Sequence, residues 1–234
     1  MQTATSYDHP LTIGISGGIG SGKTTVVEML KRHLNCKVKC YNFADALKAI
    51  VCSACSVPYP LSEENKSSAV DLSKGVPQIR PCDLPERLML AETILSRINA
   101  QIRAATSDSK PVTVGLMLQV VGQAFKKAVD DDFWINCLAN CMASDIETPD
   151  VVIVGDVRYP NEANYIKDVC GGVLVGVFGG PKHENSLAGR DPAHPSEQGL
   201  GADARWFERI DNSGSIESLE SKVVDLVGCL KKMT

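Results

Sequence analysis

The chain has 234 residues, 44% of them hydrophobic, with 24 lysines and arginines against 28 aspartates and glutamates for a formal charge of −4. That is enough apolar material for a well-buried core. The negative balance excludes a general binder of nucleic acid or anionic membrane, so positive potential for an anionic ligand has to be local. No 18 apolar residues run together and "MQTATSYDHP" has no apolar leader character, so a cytoplasmic protein without membrane partners is expected. Nine cysteines, an odd number spread through apparent helices and strands, suit reduced, buried thiols better than a disulfide framework. Cys52 and Cys55 form a C-x-x-C but lack a second pair at zinc spacing, and they read as neighbours on a helix.

In chain order, "LTIGIS" (11–16) is a short apolar run suited to a buried parallel strand. "GGIGSGKTT" (17–25) follows, and "TTVVEMLKRHL" then places Val26, Val27, Leu30 and Leu34 at helical spacing. Gly17, Gly22, Lys23 and Thr24 match G-x-x-x-x-G-K-[ST]. In that pattern backbone N–H groups cradle phosphates, the lysine reaches the β- and γ-phosphates, and the hydroxyl holds Mg²⁺. Strand, loop and helix come in the required order, and the helix N-terminus adds partial positive charge. Gly18, Gly20, Ser21, Gly22, Lys23, Thr24 and Thr25 are therefore the candidate phosphate contacts, with Thr24 as a metal ligand.

"CKVKCYNF" predicts a second strand and "ADALKAIVCSAC" a helix leaving it. Residues 56–85, rich in Pro and Ser, read as a loop or mobile insertion. A helix is expected over 86–104, with Leu88, Ala91, Leu95 and Ile98 inward, and one or two more over 114–143, with Leu116, Val120 and Phe125 inward. "DVVIVGDVRYPNEANYIKDVCGG" predicts five residues of strand, an acidic residue just past it, and a helix from Pro160 to a cap at Gly171. "VLVGVF" is another strand, and the polar stretch to 200 suits a lid. "FERIDNSG" is a last short strand, followed by a helix with Ile216, Leu219, Val223, Leu226 and Leu230 on one stripe. Alternating β and α patterns predict an α/β fold, a three-layer sandwich on a parallel sheet of about five strands.

Five motifs carry a resemblance: "NFADALK", "LMLQVVGQ" with "DDFW", "GDVRYPNEA", "HPSEQGL" and "IDNSGSIESLESKV". In this order they resemble the deoxynucleoside monophosphate kinases of tailed phages and large DNA viruses, over residues 11 to about 230. The resemblance implies a P-loop NTPase fold forming one domain over 1–234, with a helical acceptor-binding region over about 56–137 and a lid over 180–201. It implies ATP- and Mg²⁺-dependent transfer of the γ-phosphoryl group to a (deoxy)nucleoside monophosphate. Animal-type phosphomevalonate kinases look like distant relatives and form the alternative; dephospho-CoA kinases share the loop wording, and a P-loop ATPase switch remains a further class. Two departures stand out. Gly115 replaces the arginine that the family usually has four residues before the glutamine of its L-Q-x-x-G motif, and "VFGGP" lacks an arginine before the lid. Lys127 is retained, and Lys126, Lys182 or Arg190 are candidate substitutes.

Phosphoryl transfer asks mainly for positioned charge, so cations and oriented amides matter most. A monophosphate acceptor has a second pKa near ~6 and needs no general base. Lys23, Arg158 and Asp156 are the catalytic candidates. Asp156 would order Mg²⁺ water, or else serve as a helix N-cap or loop ion pair. Arg158 would bridge acceptor and γ-phosphate, or else pair with Glu162. On the acceptor side stand Lys48, Gln119, Lys127, Trp134, Arg158 and Glu162. Gln119 either reads a base edge or bridges helices, Lys48 either meets phosphate or is solvated, and Trp134 either stacks on a base or fills the core. Homodimerisation is left open by the sequence.

Overall fold

The computed structural model describes residues 10–73, 75–85, 88–107, 111–180, 191, 193–201 and 204–233. In chain order the elements are β1 (Leu11–Ser16), α1 (Lys23–His33), β2 (Val38–Tyr41), α2 (Asp45–Cys55), α3 (Glu63–Ser67), a 3₁₀ turn (Pro81–Asp83), α4 (Glu92–Thr106), α5 (Val114–Ala128) and α6 (Phe133–Ala143). They continue as β3 (Val151–Val157), α7 (Pro160–Asn164), a π-helical turn (Tyr165–Val169), β4 (Val173–Phe178), α8 (Pro195–Gln198), β5 (Glu208–Asp211) and α9 (Ile216–Leu230). Two compact units emerge: Met1–Asn42 with Cys141–His183 and Pro195–Thr234, and Phe43–Asn140 with Glu184–His194.

The first unit is an α/β sandwich on a five-stranded sheet in the order β2-β3-β1-β4-β5, every pairing parallel. A parallel sheet is covered on both faces, which is why its strands carry near-continuous apolar runs. On one face Ile13, Ile15, Ile153, Val175 and Val177 pack with Val26, Met29 and Leu30 of α1 and Leu219, Val223, Leu226 and Leu230 of α9. On the other, the π-helical turn brings Ile166 against β1, where Gly14 leaves the room: a Cβ there would lie 2.8 Å from Leu174 and 3.3 Å from Ile166. The connection after β1 leads to β2 on one side of the sheet, and the connection after β3 leads to β4 on the other. The crevice between the carboxyl ends of β1 and β3 is therefore the topological switch point, where open α/β sheets bind ligands.

The second unit is helical. Ile50 and Val51 of α2, Leu95, Ile98 and Ile102 of α4, and Met117, Val121 and Phe125 of α5 share one core with Phe133 and Trp134. Thr113 caps α5 by accepting the Leu116 N–H at 3.1 Å. Asn99 clamps both backbone groups of Ile79, at 2.7 and 2.9 Å. Asp83 is buried but fully engaged, by Ser53 Oγ at 2.7 Å, by the Arg80 N–H at 2.8 Å and by the Arg80 guanidinium at 2.9 and 3.1 Å.

Several expectations need correction. The helix expected from residue 86 starts at Glu92; Leu88 precedes it and Ala91, its N-cap, is exposed with an extended backbone. On α5, Phe125 is buried as expected, but Leu116 and Val120 only pack against the core partly buried, and the fully buried apolar side chains are Val114, Met117, Val121 and Ala124 with Phe125. Because α5 is packed by α2, α3 and α4 together, no single stripe decides its inward side. β3 runs two residues past the expected five, so Asp156 lies inside the strand. The β1–β3 ladder shifts register between Gly14 and Ser16 and pairs Ser16 with Val157. Ile216, first in α9, is exposed, and Val227 takes its place in the core. The thiols are mostly not buried: Cys36, Cys40, Cys82, Cys141 and Cys229 are exposed and Cys52 alone among the nine is buried. Cys52 and Cys55 do lie on α2, and burial pushes the Cys55 thiol up to about 12. Among the described residues no helix is long and apolar enough to cross a membrane.

Burial raises the Asp83 carboxyl pKa, but the hydrogen bonds from Arg80 and Ser53 and the guanidinium charge outweigh it, leaving the group below its ordinary value. A carboxyl depressed by folding stabilises in full above its unfolded pKa of ~3.9 and loses that contribution as pH falls through the lower folded value. Asp83→Asn is therefore expected to destabilise the helical unit by about 2 kcal/mol at pH 7. Urea unfolding at pH 7 and below pH 4 checks this, with the gap between the two proteins narrowing in acid.

Candidate functional site

Ser16 and Val157 are register partners on neighbouring parallel strands, so the chain leaves β1 at Gly17 and β3 at Arg158 side by side. From β1 it enters the glycine-rich loop. Gly22 is the N-cap of α1 with φ +94°, a left-handed conformation that glycine adopts without Cβ strain. A Cβ there would also lie 2.3 Å from the Asn212 amide nitrogen, which donates to the Ser21 carbonyl at 2.8 Å. Gly180, after β4 and at φ +88°, lies so close that its Cβ would come within 2.7 Å of the Gly20 carbonyl. The loop is thus held by the segments after β4 and β5 rather than by its own side chains.

Several of its groups stand open or turn onto the loop itself. Gly18 is exposed with open space around it. Lys23 folds back, Nζ donating to the carbonyls of Gly17 and Gly18 at 2.8 and 2.7 Å. Thr24 and Thr25 are exposed on the first turn of α1, and Ser21 Oγ is buried without a hydrogen-bond partner among the described residues. A buried orphan hydroxyl, a left-handed cradle and a helix N-terminus together fit a phosphate chain.

Beside the loop, Arg158 is held twice. Glu162, buried in α7, accepts the backbone N–H of Arg158 at 2.7 Å and of Tyr159 at 3.0 Å. The guanidinium reaches α8: Nη1 donates to the Ser196 carbonyl at 2.8 Å and lies 3.2 Å from a Glu197 carboxylate oxygen. The alternative pairing of Arg158 with Glu162 is realised through the backbone only, and the side-chain partner is Glu197. Asp156 lies half-buried two residues before, within β3.

The remaining acceptor-side candidates belong to the helical unit. Gln119 is buried, and its amide pairs with the backbone of Asp191 in both directions, Nε2 donating at 3.0 Å and Oε1 accepting at 2.9 Å. Trp134 packs in the core, 5.2 and 4.8 Å from the rings of Phe125 and Phe133, with its indole N–H on the Gly122 carbonyl at 3.1 Å. Its ring faces are thereby occupied by core neighbours. Lys48 lies 3.2 Å from Asp45 on α2, Lys127 is exposed in the last turn of α5, and Gly115 is buried in that helix. Lys182, Arg190 and half of the expected lid lie outside the described residues.

The sequence did not point to Asn212 or Gly180 as loop supports, nor to Glu197 as the partner of Arg158. Asn212 and Glu197 each stand in a quoted motif, "IDNSG" and "HPSEQ". Only the fold brings these across 191 and 39 residues of chain.

The profile of the family described as deoxynucleotide monophosphate kinase matches residues 69–223, well over half the chain. The chain belongs to this family. Two curated relatives agree. A protein of Acanthamoeba polyphaga mimivirus, provisionally named a deoxynucleotide monophosphate kinase, is 28% identical over 94% of this chain and 98% of its own. The deoxynucleoside-5′-monophosphate kinase of Escherichia phage T5 is 24% identical over 90% of this chain and 93% of its own. Among solved structures, TT1252 from Thermus thermophilus is 19% identical, with a TM-score of 0.43 over 97% of this chain and 100% of its own.

Gly22→Ala is expected to strain the loop through both φ and the Asn212 contact. The cost is about 1–2 kcal/mol of stability with loss of triphosphate binding. Thermal unfolding and nucleotide titration of the variant measure the two effects.

Proposed function

We propose that the protein is an ATP- and Mg²⁺-dependent deoxynucleoside monophosphate kinase, transferring the γ-phosphoryl group of ATP to a dNMP to give dNDP and ADP in the cytoplasm. The observation that carries this reading is the parallel exit of the glycine-rich loop and Arg158 from β1 and β3. That geometry offers a triphosphate cradle and an arginine at one end of one sheet. The family match begins at residue 69, after the loop, so motif and match are independent supports.

In this reading the loop amides of Gly18, Gly20, Ser21 and Gly22, the N-terminus of α1, Lys23 and Thr25 hold the phosphates of ATP. Lys23 exchanges its two loop carbonyls for phosphate oxygens. Among the described residues no three His, Cys, Asp or Glu side chains group as a metal cage. A Mg²⁺ site would accordingly rest on Thr24, on Asp156 and on the nucleotide itself, as is usual for this ion. Bound there, Mg²⁺ would offset charge on the phosphate oxygens. Arg158 bridges the donor and acceptor phosphates, and Glu162 keeps its backbone in place. The acceptor phosphate is itself the nucleophile and is ionised near neutral pH, so no general base is required.

The helical unit, with Lys48, Lys127 and Gln119, holds the monophosphate, and Trp134 supports it from the core. Gln119 reads the base by exchanging the Asp191 peptide for a base edge, since both offer a donor beside an acceptor. The phosphomevalonate alternative would need an extra cation in that unit for a carboxylate. The buried Gly115 supplies none at the family's arginine position.

Coupled ADP-release assays with the four deoxynucleoside monophosphates and with phosphomevalonate test the reading. At least one dNMP is expected to be phosphorylated, and turnover of phosphomevalonate alone would overturn it. Lys23→Ala should lower kcat at least about a hundredfold with unfolding temperature retained, because a preorganised charge on the transferring group is lost. Gln119→Ala should change the ranking of the four bases. An equal loss for all four would mean that its amide serves Asp191 alone.

A further inference from the structure

Arg158 presents one particular edge of its guanidinium, and the chain sets which. Nη1 is occupied by the Ser196 carbonyl and the Glu197 carboxylate, whereas Nε and Nη2 find no acceptor among the described residues. The two N–H bonds of the Nε/Nη2 edge run parallel and match two oxygens of one phosphate. Glu197 is an odd neighbour for an anion site. Its side chain is only 6% exposed, beside an arginine that is 27% exposed, and a carboxylate this deep repels phosphate unless its charge is spent on a cation. A pair serving only to anchor α8 would gain nothing from lying at the end of β3. With Ser196 Oγ 3.3 Å from its second oxygen, the carboxylate has a fixed orientation toward the arginine.

We infer that Glu197 is a positioning residue for Arg158, holding Nη1 so that the Nε/Nη2 edge is offered to the phosphate of the acceptor. The inference rests on the proposed role of Arg158 and deepens it. Glu162 fixes the backbone of the arginine and Glu197 fixes its plane. The "HPSEQ" motif and the "DVR" motif then act as one device, although 39 residues separate the pair.

Glu197→Gln preserves shape and removes charge, and Glu197→Asp keeps charge but shortens the reach; both should be compared with Arg158→Ala and with the double variant Arg158→Ala/Glu197→Gln. Rates with a deoxynucleoside monophosphate, KM for ATP and thermal unfolding are the readouts. We expect each Glu197 variant to lower kcat/KM for the monophosphate roughly tenfold with KM for ATP within twofold, and to have no further effect once Arg158 is alanine. Equal losses in both backgrounds, or a loss shared by ATP and monophosphate in step with unfolding temperature, would overturn the positioning role and leave Arg158 in place. If Arg158→Ala alone keeps wild-type kcat/KM, the reading of the site fails and the role of Glu197 fails with it.

Discussion

Everything at the candidate site depends on the pairing of β1 with β3. Two strands far apart in sequence run parallel, and a register shift near their carboxyl ends matches Ser16 to Val157. Parallel pairing is what makes both chains emerge at the same end, and the opposed directions of their connections open the crevice there. The buried apolar stretches Thr12–Ile15 and Val151–Val154 carry no candidate ligand group, and Asp156 stands near the end of β3. The strands serve as a rigid base from which Gly17 and Arg158 project, and a change in that register would turn the residues around Arg158 to the opposite face.

The cradle is a tertiary object more than a local one. A loop with so many glycines has high conformational entropy and little intrinsic preference for one shape. Its shape is imposed from outside, by the Asn212 amide on the Ser21 carbonyl and by the backbone at Gly180 against that of Gly20. Close approach explains why glycine stands at 22 and 180 better than flexibility does. At 18, where nothing approaches, glycine leaves open space for a ligand.

Legibility in the sequence followed the range of the interactions. The strand–loop–helix unit at 11–33 and the strand at 173–178 were readable because their apolar runs, glycines and caps are local. The family was readable from motifs in order, and the profile match agrees with it. The inward face of α5 was misread in part because three neighbours bury it from several sides, so the hydrophobic period carried less information than the packing. The end of β3 was misjudged because a register shift is a property of two strands. At the site, residue types were legible but partners were not. Arg158 stood out by its place just past a strand and Gln119 as the glutamine of the L-Q-x-x-G motif, whereas the contacts with Asp191 and Glu197 became visible only once the chain was folded.

That division bears on how an acidic chain could hold two phosphorylated ligands. With a net charge of −4, attraction must come from a few cations whose charge is not cancelled by neighbours. Lys23 donates to the carbonyl oxygens of Gly17 and Gly18, which carry no net charge. Arg158 does lie against a carboxylate, and in isolation that pairing would subtract from its pull on phosphate. A guanidinium differs from an ammonium in having separate edges. One edge can be fixed by a carboxylate and a carbonyl while another keeps two aligned donors, so the loss in charge is exchanged for a gain in orientation. For a reaction that depends on placing donor and acceptor in line, orientation is the scarcer quantity.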